Sequence, residues 1–418
     1  MALAACWCAL AATLTPRPAL ADDAASLPRN IEEARAIESR DALPRGAFYD
    51  DTALGHSRPG DLLRSEPAEG YALPEGAHAV RILYHSLDAT GHDVATSGLV
   101  LLPAGNPPSG GWPVIAWAHG TTGVARQCAP SLMKDLVYGE EGLMPMVRAG
   151  FAVVATDYHG LGTPGPHQYV NKAAQAHDVI YSVPAARAAV PSLAADWVAI
   201  GHSQGGLATW GVAEEEAGLH DAHYRGAISA AGAAQFDKLL PALAHAQGVA
   251  AFYVALMGYG VHALTPDFDV ARMLDGAALD HYADVTENGC WYYAYARFLA
   301  PDTRPLLREG WEKTGAVQRM LAATSQGRKP VRGPLLVVAS DGDRTVPFVG
   351  VKAIVERACR HGIALDFHPI PGLDHDELMA QGTPTMLDWA RDRFAGKPAT
   401  NNCPAVLKEA TPGKAKAP

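Results

Sequence analysis

The stretch Trp197-Val198-Ala199-Ile200-Gly201-His202-Ser203-Gln204-Gly205-Gly206-Leu207-Ala208-Thr209-Trp210 decides the fold. A short apolar run leads into Gly-His-Ser-Gln-Gly, and a helix-like segment follows. Strand, G-x-S-x-G and helix in that order predict a sharp turn that lifts the Ser203 hydroxyl clear of the backbone. Glycines two residues to either side are required because side chains there would collide across the turn. The turn also points the N-terminus of the next helix at any negative charge that develops beside Ser203.

Working outward, strand-like runs recur and end in polar residues. Pro113–Ala118 ends at His119, Phe151–Thr156 at Asp157, and Trp197–Ile200 at the elbow. Gly226–Ala231, Pro334–Ala339 and Ala364–Ile370 follow. Helix-like stretches such as Asn171–Ala189, Leu207–Glu216 and Val349–His361 lie between them. Alternation of this kind predicts an α/β fold with a mainly parallel central sheet and right-handed crossovers. Upstream, His78–Leu87 and Val94–Leu102 flank Asp88-Ala89-Thr90-Gly91 and read as an antiparallel pair. Residues 235–327 break the alternation. They are rich in Ala, Leu, Tyr and Met, and a structureless loop of that length is improbable in a compact domain. They read as a helical cap inserted over the site, with apolar residues that line a pocket, form a small core, or do both. The expected organisation is a leader at 1–21, an arm at 22–75, a core at 76–234 and 328–405, the cap at 235–327 and a mobile tail at 406–418.

The chain has 418 residues, 48% apolar and 19% charged, with net charge −10. That composition permits a sizeable core and excludes global disorder. No basic block is present, which argues against nucleic acid as a partner. Ala2 to Leu14 is almost wholly apolar, and Ala19-Leu20-Ala21 precedes Asp22-Asp23. This reads as an export signal, although no Lys or Arg precedes the apolar run. The run is too short to span a bilayer. Cleavage there removes Cys6 and Cys8 and leaves Cys128, Cys290, Cys359 and Cys403. Four cysteines in an exported chain suggest two disulfides, with three connectivities open. None of the spacings matches a zinc site.

A serine hydroxyl needs a base, and the base needs an orienting carboxylate. On this fold the acid follows a strand after the serine, and the histidine follows the last strand. Leu335–Ala339 leads into Ser340-Asp341-Gly342-Asp343-Arg344-Thr345-Val346-Pro347. Asp343 is favoured as the acid because the turn into Val346-Pro347 directs it inwards, and Asp341 is the alternative. Ile370-Pro371-Gly372-Leu373-Asp374-His375 places His375 as the base. His368, His361 and His202 read as structural. The oxyanion donors expected are the N–H groups of Gln204 and Thr121, with Gly120 as the alternative to Thr121.

These residues resemble the α/β-hydrolase superfamily, and within it the secretory lipases. The likeness is carried by Pro59-Gly60-Asp61-Leu62-Leu63-Arg64-Ser65-Glu66-Pro67, Trp117-Ala118-His119-Gly120-Thr121-Thr122-Gly123, Cys128-Ala129-Pro130-Ser131 and Asp157-Tyr158-His159-Gly160-Leu161-Gly162. The elbow, Asp343 before Val346-Pro347, and Pro371-Gly372-Leu373-Asp374-His375 complete it. The resemblance implies hydrolysis of carboxylic esters, often acylglycerols, without a cofactor. A small-molecule or lipid ester would be the partner, with transient contact at lipid surfaces. It also implies disulfides Cys128–Cys290 and Cys359–Cys403. Two competing readings remain: a peptidase, because the cap carries Asp267, Asp269, Asp275, Asp280, Asp284 and Glu287, and a non-catalytic binding protein on the same fold. An esterase acting on acylated sugars is a substrate variant of the leading reading. Trp291, Tyr292, Tyr293 and Tyr295 would serve it as stacking platforms, against a plainer role in the cap's core.

Overall fold

The computed structural model describes residues 27–50, 55, 57–246 and 249–410. The expected leader at 1–21, the start of the arm and the residues after 410 lie outside these. Nine strands form one sheet: β1 Leu62–Ala68, β2 His78–Leu87, β3 Asp93–Leu102, β4 Trp112–Ala118, β5 Ala152–Thr156, β6 Leu193–His202, β7 Tyr224–Ala230, β8 Leu335–Ala339 and β9 Asp366–Pro369. Their order is β1-β2-β3-β5-β4-β6-β7-β8-β9. From β5 to β9 the neighbours run parallel, while β1, β2 and β3 pair antiparallel and β3 meets β5 antiparallel. Strand β1 escapes a pattern reading because Leu62-Leu63-Arg64-Ser65-Glu66-Pro67 does not alternate and contains a proline. Both features are tolerated on an edge strand.

The central strands read as near-continuous apolar runs because both faces are covered. Val114, Val154, Trp197 and Val337 face one core with Ala176, Val183, Trp210 and Ile354 from the helices Lys172–Ala189, Gln204–Leu219 and Phe348–Arg360. Ile115, Val153, Val198 and Val338 face the other, against Met144, Met146, Leu378 and Met386. Burying each large apolar side chain contributes about 1.5–3 kcal/mol, and Trp117, Trp197 and Trp210 are among the largest that are fully buried.

Within 235–327 the helices Phe236–Leu243, Val249–Leu264, Gly276–Asp280, Tyr282–Glu287, Trp291–Arg297 and Gly315–Ala323 have an apolar cluster of their own, with Phe252, Leu256, Phe268 and Leu274 among its buried members. Val124, Tyr169 and Leu207 join it from the sheet side. Trp291 stacks on Tyr295 with ring centroids 5.6 Å apart, and Tyr293 is buried. The arm's helix, Ile31–Asp41, is capped by Asn30 and packs on Trp291–Arg297. The Glu38 carboxylate accepts the N–H of Cys290 at 3.1 Å and of Tyr293 at 2.8 Å, supplying an anionic cap to that helix.

Cys128 bonds to Cys290, and Cys359 to Cys403. The first ties the loop after β4 to Cys290, just before the helix Trp291–Arg297. The second fastens the helix before β9 to the C-terminal helix Cys403–Ala410. That helix corrects the expectation of a mobile tail from residue 406. Val406 is buried, and the amphipathic run Cys403–Ala410 docks its apolar side on the core. Among the described residues no helix is long and apolar enough to cross a membrane.

A sequence separation of 44 for Cys359–Cys403 restricts the unfolded chain enough to stabilise the fold by about 4 kcal/mol in the loop-entropy account. The double variant Cys359→Ser/Cys403→Ser should therefore unfold at a markedly lower urea midpoint in equilibrium denaturation. An unchanged midpoint would show that helix docking alone holds the C-terminus.

Candidate active site

Ser203 stands at the junction of β6 and the helix Gln204–Leu219 with φ 59° and ψ −118°, a left-handed conformation unusual for a serine. The flanking glycines are obligatory. A Cβ on Gly201 would run into the Gly205 carbonyl, and one on Gly205 into the carbonyl oxygen of Ala118. The turn is held by Ser203 N–H donating to the Ala230 carbonyl at 3.0 Å and by Ala233 N–H donating to Ser203 O at 2.9 Å. Ser203 is 7% exposed.

Asp343 and His375 meet. His375 Nδ1 lies 2.7 Å from Asp343 Oδ2, and Asp343 Oδ1 accepts the N–H groups of Thr345 and Val346 at 2.8 Å each. The carboxylate is thus fixed by its own turn while its second oxygen faces the imidazole. His375 Nε2 is buried and makes no hydrogen bond, so the Ser203–His375 bond is not formed here. Such contacts are often long in ligand-free enzymes and tighten with substrate. Asp341, the alternative acid, has a different place. Its Oδ1 accepts Gly372 N–H at 2.7 Å and braces the turn that carries His375. Ser340 Oγ adds to this by donating to Leu373 O at 2.7 Å. His375 is the first residue of the helix His375–Phe394, behind a capping box of Asp374 and Glu377.

The loop after β4 carries Gly120 and Thr121. A Cβ built on Gly120 would lie 3.4 Å from Ser203 Cβ, which puts this loop against the elbow. The Thr121 hydroxyl shares a hydrogen bond of 2.9 Å with Tyr169. Gln204 is the first residue of its helix, so its N–H has no helical acceptor. Asp157 takes no part in the Asp343–His375 contact. Its carboxylate accepts Ser97 Oγ at 2.6 Å and Ser131 N–H at 2.8 Å, pinning the segment around Cys128 to the sheet.

His202, set aside as structural in the sequence reading, and with it His167 and His119, pack around these groups. His202 Nε2–H donates to His375 O at 3.0 Å, and the two rings lie 4.5 Å apart. Burial, and then the neighbouring His375, push the His202 pKa far down, so it serves as a neutral donor. His167 Nδ1 donates to His159 O at 3.1 Å, which leaves Nε2 to accept the Gln204 side-chain amide at 3.2 Å. His159 is itself held by Asp178 at 3.0 Å. His119 touches the carbonyls of Gly120 and Asp157, and burial lowers its pKa to about 4. No local pattern marks His167, whereas His202 lies within the pentapeptide. Adjacent side chains point apart there, and the His202 contact is with the incoming loop. Among the described residues no cluster of His, Cys, Asp or Glu is arranged to hold a metal.

Burial, and then His159, push His167 down to about 3 from 6.5. Between those values the unfolded chain binds more protons at this position than the folded one. The stabilisation is therefore complete above pH 6.5 and is lost as the pH falls. Measured by urea unfolding, the advantage of wild type over His167→Gln should shrink by about 1.4 kcal/mol per pH unit on going down from pH 6.5. A constant gap would contradict a buried neutral imidazole.

With this geometry in view, the likenesses to known proteins are specific. Residues 137–402 match the Secretory lipase family. The chain is 24% identical over 384 residues to a protein of Mycobacterium tuberculosis (strain CDC 1551 / Oshkosh) named as a probable inactive lipase, a match covering 85% of this chain and 83% of that one. Candida antarctica lipase A in its closed state superposes with a TM-score of 0.71 at 17% identity, over 86% of this chain and 89% of that chain. The rice cell wall degrading esterase LipA from Xanthomonas oryzae gives 0.66 at 17% identity, over 80% and 100%. At these identities the superpositions speak for the fold alone, which is the α/β-hydrolase fold. The match to 137–402 spans more than half of the sequence, and the chain belongs to the Secretory lipase family.

Proposed function

We propose that the protein is an exported serine hydrolase that cleaves carboxylic esters through an acyl-enzyme. Ser203 Oγ attacks the ester carbonyl as His375 Nε2 takes its proton, and Asp343 fixes the tautomer from Nδ1. The N–H groups of Gln204 and Thr121 receive the oxyanion. Collapse of the tetrahedral intermediate breaks the bond to the alcohol, which leaves with the proton from His375. Water, deprotonated by the same imidazole, then attacks the acyl-enzyme and frees the acid and Ser203. The observation that carries this reading is the 2.7 Å contact of His375 Nδ1 with Asp343, with Nε2 left unpartnered beside the elbow. No prosthetic group is required for these steps. The leader at 1–21 and the two disulfides support export. Acylglycerols and acylated cell-wall sugars are both candidate substrates, the second by analogy with the Xanthomonas oryzae esterase.

A second reading, a fold kept without catalysis, is favoured by the relative named as a probable inactive lipase. Ser203, Asp343 and His375 are all present here, which weighs against it.

Hydrolysis of p-nitrophenyl esters from acetate to palmitate separates the two readings. Wild type should turn over part of the series, Ser203→Ala should lose about 10⁶-fold in kcat, and Asp343→Asn about 10⁴-fold. A folded, disulfide-intact sample that hydrolyses no ester would favour the non-catalytic reading.

A further inference from the structure

Leu136, Val137 and Tyr138 have successive φ values of 63°, 53° and 62°. Left-handed conformations cost non-glycine residues about 1–3 kcal/mol each, and they persist where the surroundings enforce them, often beside functional sites. A π-helical turn, Gly139–Leu143, follows at once. Together these swing Tyr138 across to Ser203. Its ring stands edge-on to His202, with centroids 4.9 Å apart at 77°. Its hydroxyl donates to Asp376 Oδ1 at 3.3 Å. A Cβ built on Gly120 would lie 3.2 Å from the Tyr138 hydroxyl oxygen and 3.4 Å from Ser203 Cβ. The phenol and the nucleophile therefore flank one point in space.

Asp376 directly follows His375. The residue is exposed, and desolvation raises its pKa with His375 opposing. Asp376 stands in the first turn of the helix His375–Phe394, next to His375 and within reach of the Tyr138 hydroxyl. Among the described residues Tyr138 is the one hydrogen-bond donor to its side chain. Its remaining lone pairs are available to a donor from outside.

The direction of the reaction says which part of a substrate meets these two residues. His375 must return its proton to the departing alcohol oxygen, so the alcohol half lies on the His375 side of Ser203. The Tyr138–Asp376 bond spans that side, from Gly120 to the residue after His375. Leu207, on the helix after the elbow, and Val124 are instead buried in the apolar cluster of the helices within 235–327.

We propose that Asp376 and Tyr138 form the subsite for the alcohol half of the ester and select alcohols that keep free hydroxyl groups, such as a glycerol or sugar unit. The inference rests on the ester-hydrolase reading above. A carboxylate accepts strongly from a hydroxyl, and the phenol both donates and accepts. A simple alkyl alcohol leaves both groups without a new partner.

The test compares kcat/KM for mono-octanoylglycerol and ethyl octanoate, which share an acyl group, in wild type, Asp376→Ala and Tyr138→Phe. Wild type should prefer the glyceryl ester. Asp376→Ala should lose roughly tenfold more on the glyceryl than on the ethyl ester, the worth of one hydrogen bond to a charged group. Tyr138→Phe keeps the ring in the strained turn and should shift the ratio the same way, by about threefold for a neutral hydrogen bond. Equal losses on both esters would make the pair a brace for His375 and overturn the subsite, as would an unchanged ratio. A wild type that cleaves neither ester would overturn the ester reading itself, and the subsite with it.

Discussion

Among the described glycines, the closest backbone approach is that of Gly205 to Ala118. A Cβ at position 205 would overlap the Ala118 carbonyl oxygen, and one at 201 would overlap the Gly205 carbonyl. The reversal of the chain between β6 and its helix is therefore packed against the end of β4 with nothing between. This sets Ser203 at φ 59°. It also fixes the distance from Ser203 to the loop that carries Gly120 and Thr121. Parallel strands make the arrangement possible, because their carboxyl ends lie side by side and each delivers its loop to the same edge.

The proposed base arrives by a longer route. His375 comes from beyond β9, and its loop has no sequence neighbour at the elbow. It is held from three directions. Asp343 takes Nδ1, His202 donates to its backbone carbonyl, and Ser340 and Asp341 bond the turn just before it. The segment around Cys290 is secured in a similar way. Cys128–Cys290 ties it to the loop after β4, and Glu38 caps the helix Trp291–Arg297 from the arm. A burial-neutralised histidine recurs in this scheme, at positions 119, 167 and 202. Each ring works as an uncharged hydrogen-bonding spacer, a role that desolvation enforces.

Much of this was legible in the chain. The elbow declared itself through its glycines, which follow from sterics local to five residues. The parallel strands declared themselves through apolar runs that need no alternation when both faces are covered. Strand β1 did not, because an edge strand tolerates Pro67 and exposed charge. The helix Cys403–Ala410 was hidden by an Ala/Lys/Pro-rich tail that begins inside it. Asp343 and Asp341 were separable only by their turns, one bonding forward to Thr345 and Val346 and the other across to Gly372. The roles of His167, His202, Tyr138 and Asp376 depend on contacts between residues far apart in sequence, and no period or spacing encodes those.

The central claim is that Ser203 is a nucleophile activated by His375. A fluorophosphonate probe tests it directly, because the probe reacts only with an activated serine. Peptide mass spectrometry of the labelled protein should find one adduct, on Ser203, and none after His375→Ala. A folded wild-type protein that stays unlabelled, or that is labelled at another residue, would contradict the account.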